Sequence, residues 1–110
     1  MESANQHLQE VELLHDVASS ELADLCGLAN AAHGRMVEVV ADALAEDAWD
    51  GAGILSPKHW VTWQTGMTDV MAADVVRLAK RRHELTATVT ALRDGRISLA
   101  SAGLIARYVP

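Results

Sequence analysis

Apolar residues between Leu8 and Leu44 recur at steps of three and four, through Val11, Leu14, Ala18, Leu22, Leu25, Ala29, Ala32, Met36, Val39 and Ala43. A helix turns once in 3.6 residues, so these positions fall on one stripe, and the spacing predicts an amphipathic α-helix. The stripe is close to a coiled-coil seam in period and persists for about five heptads, longer than most helices of compact domains. Ser19-Ser20, Gly27 and Gly34 each weaken a helix interior and are the places where it would break or kink. Two readings stand: one helix that stops near Ala18 with a second reaching Asp47, or a single continuous helix. An unbroken helix needs a second chain, or the rest of this one folded back, to cover its stripe. Val11, Leu14, Ala18, Leu22, Leu25, Met36 and Val39 are therefore candidates either for a dimer contact or for the core.

The pattern changes after Trp49-Asp50-Gly51-Ala52-Gly53, where two glycines mark a turn. Ser56-Pro57 then places a capping hydroxyl before a proline at the first helical position, predicting a short helix that carries Trp60, Val61, Trp63 and Gln64 and ends at Gly66. Thr68 caps a following helix from about Asp69 to Glu84 or Leu85, with Met71, Val75, Leu78 and Leu85 on one face. Thr86-Ala87-Thr88 leads into another short helix through Leu92, Asp94-Gly95 makes a turn, and Ser98 caps a last helix from Leu99 to Tyr108. The fold class is all-α: a long N-terminal helix, whole or broken, then three or four shorter ones including a helix-turn-helix-like pair. Apolar residues run up to the end at Ile105, Ala106, Tyr108 and Val109, which is the look of a fragment of a longer protein.

Composition supports the helical reading, since half the residues are hydrophobic while Phe is absent and Pro occurs twice. Charge divides the chain. Residues 1–50 hold eleven acids and one base, Arg35, whereas residues 51–110 hold eight bases and four acids, for net charges of −10 and +4. We read an acidic helical region over 1–50 and a basic one over 51–110, together one domain. The basic half would suit an anionic partner, DNA among them; equally, the two halves attract each other or are ordinary solvated faces. The start of the chain lacks the basic and apolar runs of a signal peptide, and no stretch approaches a membrane span, so a cytoplasmic protein is expected. Cys26 is expected to be a buried thiol.

Helix-turn-helix use would bring the helix after Thr68 toward DNA, but its first turns offer Asp69 and Asp74, which repel phosphate. Arg77, Lys80, Arg81 and Arg82, with Arg93, Arg96 and Arg107, are the candidates for backbone phosphate contacts that read no sequence. The five histidines include no pair at a spacing of three or four residues, so no metal is expected. No nucleophile, base and acid assemble from local motifs, and we expect no catalytic site, no cofactor and no small-molecule substrate. Trp49, Trp60 and Trp63, grouped around a glycine turn, are expected in the core rather than stacking on bases.

The blocks Leu55-Ser56-Pro57-Lys58-His59-Trp60-Val61-Thr62-Trp63-Gln64-Thr65-Gly66-Met67, Val76-Arg77-Leu78-Ala79, Ala91-Leu92-Arg93-Asp94-Gly95-Arg96-Ile97-Ser98-Leu99-Ala100-Ser101-Ala102 and Ile105-Ala106-Arg107 resemble a bacterial family, domain of unknown function 222, also called the 13E12 repeat family. The resemblance covers about residues 50–110. It implies a helical domain placed ahead of an HNH nuclease domain, and hence a DNA-associated accessory module that positions or dimerises a nuclease. Thr86 stands where the family pattern has proline, and Ala73, Asp74 and Val75 stand where arginine is common. The nuclease's own histidine-rich motif is absent, so no catalytic residue is carried over. The other reading, from the long stripe alone, is a homodimerisation or protein-interaction module without nucleic acid.

Overall fold

The computed structural model describes residues 2–110, and the side chains from Ser3 onward. It is all-helical: α1 (Glu2–Ala45), α2 (Pro57–Thr65), α3 (Asp69–Lys80), α4 (Thr86–Arg93) and α5 (Leu99–Tyr108). The continuous reading of the first helix holds. Neither Ser19-Ser20 nor either glycine interrupts α1, whose length at 1.5 Å per residue accounts for the 67 Å long dimension of the molecule. It ends at Ala45, two residues short of the expected Asp47. There Asp47 takes a left-handed conformation (φ 51°) while the N–H of Ala48 donates to the Ala43 carbonyl and that of Asp47 to the Leu44 carbonyl. These two bonds satisfy the last carbonyls of the helix, a Schellman closure with aspartate where glycine is usual.

The local signals in the second half act as expected. The hydroxyls of Ser56, Thr68 and Ser98 each accept from the backbone N–H three residues on, at His59, Met71 and Ser101, and Gly66 closes α2 at φ 70°. One boundary moves. The third helix stops at Lys80, four or five residues before the expected end, and Leu85 belongs instead to the entry of α4. A backbone turn closes on the Arg81 carbonyl, which accepts from the N–H groups of Glu84 and Leu85, and this brings Leu85 into the core; the Arg81 guanidinium donates to the carbonyls of Ala106 (2.8 Å) and Val109 (2.6 Å), capping the C-terminus of α5.

The core lies around α3. Ala72, Val75, Leu78 and Ala79 of that helix pack with Val37, Val40 and Ala41 of α1, Val61 of α2, Val89 and Leu92 of α4, and Leu99, Ala102 and Ala106 of α5. Both halves thus share one core, and α1 contributes to it only from residue 37 on. The stripe is not that core. Val11, Leu14, Leu22, Leu25, Met36 and Val39 are exposed, as is Ala18; the buried line on α1 is offset around the helix and runs through Gly34, Val37 and Ala41. Nor is it made of tryptophan: Trp49 and Trp60 are half-buried and Trp63 is 72% exposed, because small and branched side chains fill the close helix contacts and leave the indoles at the edge. Cys26, expected inside, is exposed, on the side of α1 away from the contact of Gly27 with Gly95.

The α1 glycines serve close approach. A Cβ at Gly34 would sit 2.6 Å from the backbone N and Cα of Arg93, whereas one at Gly27 would meet nothing closer than 4.0 Å. The two should therefore respond oppositely to alanine. Gly27→Ala is expected to stabilise by about 0.5–1 kcal/mol through helix propensity. Gly34→Ala forces backbone against backbone, at an overpacking cost of about 1–3 kcal/mol, and is expected to destabilise; urea unfolding of the two variants checks the opposed signs.

Candidate functional site

The first two dozen residues of α1 extend beyond the bundle as an arm. Its apolar positions are open to solvent, with Leu14 67% and Leu22 63% exposed, and Val17 and Leu28 lie exposed beside the stripe. A monomer that leaves such a continuous apolar strip in water is unusual, and strips of this kind mark contact surfaces. The arm is strongly acidic: Glu10, Glu12, Asp16, Glu21 and Asp24 make no ion pair among the described residues.

Where α1 reaches the bundle the stripe continues into a groove of about 310 Å³ between α1, α2 and α3, lined by Met36, Val39, Trp60, Val61 and Met67, with Arg35 at its rim. Sequence reading missed this groove because its walls come from three segments whose proximity is tertiary. The stripe positions Met36 and Val39 pointed toward it, and the half-buried Trp60 and Met67 pack on the core at its inner side.

The candidate phosphate-binding residues come out differently. Arg107 is held by Asp74 through its Nη2 (2.8 and 3.0 Å) and Nε (3.1 Å), and Arg77 donates to the same carboxylate at 3.2 Å. Arg82 pairs with Asp42 of α1 at 2.6 Å, and Arg93 pairs with Glu38, which Arg35 shares. Arg81 caps α5 and bonds Glu84; Arg96 pairs with Asp94. Lys80 alone of the seven carries no ion pair among the described residues. Part of the charge asymmetry is therefore internal, the basic half folding back on Glu38 and Asp42. Asp74, expected to face a DNA groove, is instead buried, with a side chain 3% exposed.

No family model, curated protein or solved structure matches this chain. The functional reading rests on its own surfaces. A smaller basic patch remains in a shallow depression formed by Lys58, Ala73, Val76, Arg77 and Lys80. No helix among the described residues is long and apolar enough to cross a membrane, and no three His, Cys, Asp or Glu side chains among them group as a metal ligand set.

Proposed function

We propose that the chain is a helical self-association module whose projecting arm pairs with that of a second copy. The observation that carries this is the uncovered stripe from Val11 to Ala32, at near-heptad spacing and solvent-exposed throughout. Buried in a helix pair, such a stripe gives the knobs-into-holes seam of a coiled coil. Association also accounts for the persistence of α1 past the bundle, because tertiary or quaternary packing rather than intrinsic propensity stabilises most long helices. The experiment is sedimentation velocity over a concentration series, with a mass twice the 11.8 kDa of the chain expected. The interface is apolar and the arms are both acidic, so association should hold or tighten as salt rises. A species that stays monomeric at high micromolar concentration excludes the module.

A second reading, DNA contact as an accessory domain of an HNH-type nuclease, is favoured by Lys58 and Lys80, which stand together without carboxylate partners among the described residues. It predicts binding of short duplex DNA that weakens steeply with salt, the slope falling by about one for each phosphate-contacting lysine removed. Lys58→Ala and Lys80→Ala should then each weaken binding uniformly across DNA sequences. No binding at 50 mM salt rules the contact out.

A further inference from the structure

We infer that the two arms pair antiparallel, in a single register whose two-fold axis passes between Glu21 and Leu22, so that the start of each arm reaches the groove of the other copy. The inference rests on the self-association reading and adds to it the direction, the register and the occupant of the groove.

Three features of α1 point to the same register. The first is side-chain size. With the axis at this place, Val11 of one copy lies level with Ala32 of the second, Leu14 with Ala29, and Ala18 with Leu25, while the two Leu22 side chains meet across the axis. Ala18, Ala29 and Ala32 then each face a larger residue, and the interdigitation fills space. Parallel in-register helices would set Ala18, Ala29 and Ala32 each against itself, leaving gaps in three layers.

The second feature is a pair among the exposed apolar residues that the stripe leaves out, which are Leu13, Val17 and Leu28. Val17 and Leu28 lie on the same flank of the stripe, and both are exposed on the isolated chain. In an antiparallel pair like flanks face each other, and this register brings Val17 of one copy beside Leu28 of the second. Val17 and Leu28 are thus covered together with the stripe, while Leu13, farther round the helix, stays in water.

The third feature is charge. Arg35 is the one base of α1, against the acids of the arm. The same register puts it across from Glu10 of the second copy, twice per dimer, on the flank that carries Val17 and Leu28; on that flank it also sets Glu21 across from Asp24, so charge favours the two ends of the overlap and opposes its middle. A parallel pair would hold Arg35 about 37 Å from Glu10 along the axis, at 1.5 Å per residue, and leave every acid of the arm beside its own copy.

The register also fills the groove. It carries residues 4–8 of the second copy to the level of Met36 and Val39, where Leu8, 59% exposed on the isolated chain, lies at the mouth of the 310 Å³ space walled by Trp60 and Met67. A cavity of that size takes one leucine side chain with its flanking backbone. The two-fold makes the contact isologous and closed, giving a dimer and no larger assembly.

Cysteine pairing tests the direction separately from the association. On a Cys26→Ser background, Val11→Cys and Ala32→Cys are made as single variants of the full chain; all three positions are exposed, so the fold is preserved. Oxidation of a 1:1 mixture of the two is expected to give about tenfold more disulfide-linked dimer than oxidation of either alone, since a disulfide forms only where Cβ atoms approach to roughly 4 Å. Linking of Val11→Cys to itself in a protein that sediments as a dimer makes the pair parallel and overturns the register, with self-association intact. A dimer in which neither the mixture nor the singles link overturns it as well. A monomer by sedimentation removes both the register and the reading beneath it.

Discussion

Leu22→Asp is expected to raise the dissociation constant of the dimer by about 100-fold or more, roughly 2.7 kcal/mol, and to shift the protein to monomer at low micromolar concentration. In the dimer we propose, Leu22 occurs twice at the two-fold axis, so one substitution places two carboxylates against each other in a dry seam. Each loses hydration without gaining a cation, the situation in which burial of charge is most costly. The bundle itself should be untouched, because Leu22 is 63% exposed and the core takes residues of α1 only from Val37 onward. Far-UV circular dichroism should fall with the mass, since packing of an amphipathic face supplies most of the stability of a helix and the free arm lacks it. Leu13→Asp is the control. Leu13 is equally open to solvent, at 65%, but lies off the stripe, and its substitution should leave the dimer intact. Equal loss of association in both variants would point to general charge repulsion along the arm and not to a seam.

Asp74→Ala should produce the largest loss of stability within the bundle. The carboxylate is buried in α3 and takes four hydrogen bonds from two arginines, three from Arg107 of α5 and one from Arg77 on its own helix. It fastens α5 to α3 where a glycine makes the approach possible, for a Cβ on Gly103 would stand 2.3 Å from the Asp74 carboxyl carbon. Breaking a fully buried ion pair costs about 3–5 kcal/mol. Arg107 and Arg77 retain 32% and 38% of their side-chain exposure and can turn toward water, so the expected loss is smaller, about 2–3 kcal/mol. For a domain of this length that corresponds to a fall in Tm of roughly 8–20 °C. Arg107→Met on the Asp74→Leu background should recover much of it, since an apolar pair leaves no orphaned charge. Thermal unfolding of the single and double variants measures the coupling, and additive losses would mean the pair does not act as a unit.

The Asp74 pair also bears on the DNA reading. A residue counted from the sequence as a repulsive acid at the front of a recognition helix is an internal anchor, and two of the seven candidate bases are spent on it. Two others, Arg82 and Arg93, are occupied by Asp42 and Glu38 of α1. Arg81 caps α5 and Arg96 pairs with Asp94, so what remains for phosphate is Lys80 with Lys58, a residue the charge pattern did not single out.

How much was legible follows from the range of the interactions. The hydrogen bonds of the Ser56, Thr68 and Ser98 caps and of the Gly66 closure span three or four residues, so composition and order within a short window determine them. The period of the α1 stripe is equally local, and it foretold both a long helix and its need for cover. The amino-acid sequence by itself therefore determined the helical class, most of the helix boundaries and the existence of an apolar stripe on α1. Only the tertiary structure decided which face of α1 enters the core, since Gly34, Val37 and Ala41 are selected by the approach of α3 and α4 and not by the strongest periodic signal. It decided likewise that α3 ends at Lys80, where Leu85 turns into the core, and that Arg81, Arg82, Arg93 and Arg107 are engaged, because their partners lie 25 to 55 positions away in the chain. Charges and apolar stripes declare what a segment needs; which surface meets the need depends on how distant segments pack, and that is a property of the folded whole.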